Sequence, residues 1–144
     1  MFHFRLETIL TQRRHVEERF QKELAEVRQE LSAAQAVLRE AKETRRRSMR
    51  EMRRKQQDRF RADDMLLYYP YLERLKLDIE LHMKRVAAGE RKVAQKRQAL
   101  LEAMKQRKIL DKLKEKQFQM HLKTEAGREQ RFTDESAAQQ HARR

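Results

Sequence analysis

Residues 62–75 read Ala62-Asp63-Asp64-Met65-Leu66-Leu67-Tyr68-Tyr69-Pro70-Tyr71-Leu72-Glu73-Arg74-Leu75. This stretch decides the fold, because it interrupts an otherwise continuous helical pattern near the middle of the chain. Paired aspartates are helix-starting residues, and proline lacks an N–H and is tolerated in a first helical turn. The spacing therefore predicts a turn over about 62–69 and a second helix from about Pro70.

Upstream of the turn, Leu6, Leu10, Phe20, Leu24, Val27, Leu31, Ala34, Leu38 and Ala41 recur at alternating three and four residues, with Arg13 and Glu17 as polar exceptions. That is a heptad seam. Acid-first pairs four apart, such as Glu18 with Lys22 and Glu43 with Arg47, add a few tenths of a kcal/mol each. A first helix over about 4–61 follows. Downstream, Leu72, Leu75, Ile79, Met83, Val86, Val93, Leu100 and Met104 form the answering stripe, which resumes in a slipped phase at Leu110, Leu113 and Met120. The second helix is expected to run to about residue 135, followed by a frayed tail over 136–144.

Folding the chain back at the turn lays one apolar seam on the other, so that each helix covers what its partner exposes. The predicted fold is all-α, a single domain formed by a long antiparallel two-helix coiled-coil hairpin. A monomeric hairpin is the expected state, although parallel dimerisation would also bury heptad seams. Gly89 costs about 1 kcal/mol in a helix relative to Ala, so it marks either a close contact, a bend or a tolerated surface position.

Composition narrows the function. Of 144 residues, 41% are charged and 38% hydrophobic, and there is no Cys or Trp, which removes disulfides, thiol nucleophiles and Cys-based zinc sites. The five histidines are scattered, and none stands three residues after a Glu as a di-iron bundle requires. No phosphate-cradling glycine loop, HExxH pair or serine elbow occurs. Two helices alone form no water-excluding pocket. The expectation is a protein that is not an enzyme, with no cofactor, metal or small-molecule substrate. No apolar run reaches the ~20 residues of a membrane span and no signal-peptide pattern opens the chain. Membrane contact is therefore expected to be peripheral only, and the location cytoplasmic.

The net charge of +13 is uneven, because the first 41 residues carry seven basic and seven acidic side chains, whereas residues 42–61 hold ten Lys or Arg against three acids. This basic zone, with Arg45, Arg46, Arg47, Arg53, Arg54 and Lys55, lies beside the turn and favours acidic partners, nucleic acid or anionic lipid. The absence of Asn and the near absence of aromatics around the run argue against base reading. A solvated face with no ligand is the plain alternative.

All three tyrosines fall between residues 68 and 71. Tyr71, Leu75, Asp78 and His82 are four, three and four apart and line one helical stripe beside the basic zone, a candidate binding surface. The other reading is that the tyrosines cap the open end of the coiled coil.

The opening Phe4-Arg5-Leu6-Glu7-Thr8-Ile9-Leu10, then Tyr71-Leu72-Glu73-Arg74-Leu75, and finally Leu110-Asp111-Lys112-Leu113-Lys114-Glu115 with Glu125, Glu129-Gln130, Asp134-Glu135 and Ala137, resemble in order and spacing the FliJ family of flagellar type III export proteins. The Arg45–Lys55 run is not a feature of that pattern, and Asp78 stands where a small apolar residue is more typical. The resemblance implies a hairpin similar to the two-helix part of a rotary ATPase γ subunit. It implies that the terminal ends, with Leu6, Leu10, Arg13, Met120, Glu125 and Glu129, contact a hexameric export ATPase (FliI-like). It implies further that Tyr71, Leu75, Asp78 and His82 meet the export gate (FlhA-like), with export chaperones as additional partners. The location implied is the cytoplasmic face of the inner membrane. The alternatives are the stalk protein of a virulence secretion system and a basic coiled-coil scaffold for nucleic acid or anionic lipid.

Overall fold

The computed structural model describes residues 1–58 and 62–143, with backbone alone at 62 and 63. Two helices carry the fold, α1 (Glu7–Gln57) and α2 (Ala62–Ala142), packed against each other antiparallel. The hairpin predicted from the two seams is the fold observed. The chain divides into two compact units: Phe20–Leu100, and Met1–Arg19 together with Leu101–Arg144.

α1 begins at Glu7, where the expectation was Phe4. The Glu7 N–H donates to the Phe4 carbonyl at 3.1 Å, and Phe4 itself is buried. Glu7 stands in the first turn and Arg54 and Lys55 in the last, each matching the sign that the helix dipole favours. The expected end near Arg61 lies outside the described residues, as does Phe60. The described helix closes at Gln57, and the Asp58 N–H donates to the Lys55 carbonyl at 3.2 Å.

The turn expected over 62–69 is helix, and Pro70 sits inside α2 instead of at its start. Its missing N–H deprives the Leu66 carbonyl of an intrahelical partner. Leu66 and Pro70, four residues apart, share one exposed face, where water can take that carbonyl. The helix tolerates the ring because the defect points outward. The tail expected to fray from 136 is likewise helical as far as Ala142. Ala and Gln are good helix formers, and Gln130 donates to Asp134 one turn on at 3.1 Å.

In the unit of residues 20–100, α1 buries Leu24 and half-buries Phe20, Val27, Leu31, Ala34, Leu38 and Ala41, the predicted seam. The same three-four spacing continues through Arg45, Ser48 and Met52. On α2, Leu72, Leu75, Ile79 and Val86 face inward, but Met83 is 51% exposed and His82 takes the inner position. The heptad requires this, since Ile79, His82, Val86, Gly89 and Val93 keep strict three-four order and Met83 breaks it. Gly89 is a close contact: a Cβ there would stand 3.2 Å from Leu31 Cδ1. Lys96 Nζ reaches Glu23 at 3.1 Å.

In the unit formed by the two termini, Leu10 is fully buried and Ala103 lies inside. No slip of phase is needed here. Ala103, Arg107, Leu110 and Lys114 keep the heptad spacing, with Arg107 in the place of an apolar residue. Met120, expected on the stripe, is 60% exposed. Phe2 packs edge-on against Phe118 at 5.3 Å between centroids and beside His121 at 5.6 Å.

Candidate functional site

The chemistry of the terminal unit centres on Arg107. One helical turn before Asp111 on α2, it lies over Glu17, whose position in the α1 heptad is apolar at Leu10, Leu24, Leu31 and Leu38. Its Nε and Nη2 donate to the two Glu17 oxygens, the latter at 3.4 Å, and its Nη1 donates to Asp111 at 2.6 Å. Arg14 adds a 3.3 Å bond to the second Asp111 oxygen. A guanidinium presents five donors in a fixed fork, so it can satisfy a carboxylate from each helix at once. Glu17 is buried and has its partner. The hydrogen bonds that Arg107 donates, first to Glu17 and then to Asp111, raise its pKa above the usual arginine value. Partial burial works to raise the Asp111 carboxyl, but the bonds and charges of Arg107 and Arg14 together outweigh it and hold that group below its usual range. Lys114 with Glu7 at 2.8 Å and Arg13 with Gln106 extend the polar flank.

Of the residues that the resemblance assigns to ATPase contact, Leu10 is inaccessible and Leu6 half-buried, so both hold the hairpin together. Arg13, Met120 and Glu129 are exposed, and Glu125 is half-buried at the edge. Beyond Glu125, side chains 126–135 are all exposed, and Phe132 is an open aromatic among them. Among these six residues, accessible contact thus belongs to α2 more than to α1.

The candidate gate stripe divides in the same way. Leu75 and His82 are half-buried inner positions, while Tyr71 is 44% exposed and Asp78 is exposed. The tyrosine that meets α1 is Tyr68. Its hydroxyl accepts from Lys55 Nζ at 2.7 Å, and the ammonium also lies 5.1 Å from the ring centre. That hydrogen bond is the main reason the Lys55 pKa is raised. Tyr68 therefore ties the two helices, whereas Tyr69 and Tyr71 remain open to partners.

The basic zone is not one face. Arg45 is half-buried on the seam, its Nε without a hydrogen-bond partner among the described residues, while Arg46, Arg47, Arg53, Arg54 and Lys55 are exposed. Arg47 pairs with Glu40 at 3.0 Å and Lys55 with Glu51 at 3.7 Å. Sequence reading took Arg45 for surface and missed Arg107 altogether. Counting heptads onward from Ala41 to Arg45, and from Leu100 through Ala103 to Arg107, would have found both.

Among the described residues no helix is long and apolar enough to cross a membrane. A family described as Flagellar FliJ protein matches residues 2–144. Among solved structures, the chain is similar to one described as a YscO homolog, CT670, from Chlamydia trachomatis, with a TM-score of 0.60 and 22% identity over 98% of this chain and 96% of that one. At that identity the likeness speaks for the fold alone. No curated protein matches the chain.

Proposed function

The chain belongs to the flagellar FliJ family, and from that membership we propose that it is a non-enzymatic coupling element of the flagellar export apparatus, linking an export ATPase ring to an export gate. Membership of that family makes the chain a component of a type III export apparatus. The observation that carries the coupling role is the match along residues 2–144 of a hairpin whose two compact units expose different chemistry. One unit offers the open C-terminal part of α2, with Met120, Glu129 and Phe132; the other offers Tyr69, Tyr71 and Asp78. Such a division suits two partners: the ATPase at the terminal unit, and the gate at the tyrosines. Cargo-free export chaperones are further proposed partners, and the location is peripheral, at the cytoplasmic face of the inner membrane.

Separate pull-downs on the purified ATPase and the cytoplasmic part of the gate test this. Met120→Asp with Glu129→Lys is expected to weaken ATPase capture and spare the gate, and Tyr71→Ala with Asp78→Arg to do the reverse. Variants that lose both partners together while keeping their helical signal, or neither, would overturn the assignment.

A further inference from the structure

One row of cations on α1 is left over by everything above. Arg39, Lys42, Arg46, Arg50 and Arg53 follow one another at three, four, four and three residues. They therefore lie on a single helical stripe about 21 Å long. All five are exposed. Arg50 has Glu43 at 3.7 Å, but Arg39, Lys42, Arg46 and Arg53 form no ion pair among the described residues. The nearby acids are used elsewhere, Glu40 by Arg47 and Glu51 by Lys55. Unpaired cations in one line, facing water, cost stability through mutual repulsion and serve no packing purpose.

We infer that this stripe is a contact surface for an anionic lipid bilayer, so that the hairpin rests against the membrane through phospholipid headgroups. The stripe contains no apolar or aromatic member. A stable protein interface needs a desolvated apolar core, and single-stranded nucleic acid needs stacking side chains. Clusters of four to eight cations on a helix suffice for an anionic leaflet, because each adds an increment of attraction near the surface without any fitted pocket. In the same unit, the first turns of α2 hold Leu66 and Leu67 well exposed. Aliphatic side chains of that kind settle at the boundary between headgroups and acyl chains and have no counterpart on a phosphodiester backbone. The inference deepens the proposed location at the membrane's cytoplasmic face and rests on that location, but it does not depend on ATPase or gate binding.

The test is co-sedimentation of the full chain, without export proteins, with vesicles of phosphatidylcholine alone or with one-quarter phosphatidylglycerol. Binding only to the anionic vesicles is expected, weakening steeply as salt rises. Arg46→Glu, Arg50→Glu and Arg53→Glu together should cut that binding at least about tenfold. Lys112→Glu, Lys116→Glu and Lys123→Glu, which change net charge equally, should cut it much less. Equal loss in both triple variants reduces the effect to net charge and overturns the stripe. Equal binding to neutral vesicles, or tighter binding to duplex DNA at matched phosphate concentration, overturns the lipid assignment. Circular dichroism of each variant confirms that the helices persist. Failure here would leave the pull-down outcomes for the ATPase and gate untouched.

Discussion

At the scale of single residues, the arginine on the terminal seam matters most. A carboxylate buried without a partner costs more than its ion pair contributes, so removing one member is worse than removing both. Arg107→Leu is therefore expected to lower the melting temperature by several degrees, and Glu17→Leu in the same chain to recover most of the loss. Calorimetry on the two single variants and the double variant measures this; additive losses would contradict it. Asp111 supplies the pH dependence. Its carboxyl is held lower in the folded chain than in the unfolded one, so the folded state binds fewer protons and stability rises with pH through that range. The contribution is complete above the unfolded value of about 3.9 and disappears as pH falls through the lower folded value. Denaturant titrations between about pH 5 and pH 2 should show a shallower loss for Asp111→Asn than for the natural chain.

At the scale of the helices, glycine and proline give opposite tests of packing. A Cβ at Gly89 would meet Leu31 at 3.2 Å, whereas nothing lies within 4 Å of one at Gly127. Gly127→Ala should raise unfolding free energy by up to about 1 kcal/mol from helix propensity alone. Gly89→Ala should fall short of that gain, and Gly89→Val should destabilise by about 1–3 kcal/mol through overpacking. Pro70→Ala restores an N–H to the interior of α2 and should stabilise it by about 1–3 kcal/mol; urea melts followed by circular dichroism check all four variants. The seam from Leu6 to Ala41 and most of that from Leu72 to Val93 was legible in the sequence because leucine, isoleucine and valine announce their own side of a helix. His82, Lys96, Arg107 and Arg45 were not, because charged or polar side chains at inner positions look like surface until the heptad count is carried through them. The site was legible to a smaller degree. Leu10 and Leu75 stand on the seams where their spacing puts them, Tyr71 and Asp78 are exposed, and His82 takes an inner position that its polarity does not announce. The turn was misplaced because Pro70 was read as a helix opener, when a solvent-facing proline costs the helix only one carbonyl's partner.

At the scale of the whole molecule, the proposed division of labour has a direct test. A chain truncated after Leu113 removes Phe118 and His121, against which Phe2 packs, together with the exposed run 126–135. It should lose capture by the export ATPase at least about tenfold, a free-energy loss of about 1.4 kcal/mol, and keep capture by the gate. Normal ATPase stimulation by the truncated chain would remove the terminal unit from the mechanism.

The guanidinium clamped between carboxylates also governs how faithfully the hairpin closes. Leucines meet leucines almost equally well if one helix slides past the other by a heptad, a displacement of about 10 Å. Such a slide parts Arg107 from Glu17 and drops a bare charge among methyl groups. Misaligned closures should accordingly be short-lived and anneal before a partner can capture them. The ion cluster thus acts as a vernier that favours one alignment as the chain zips.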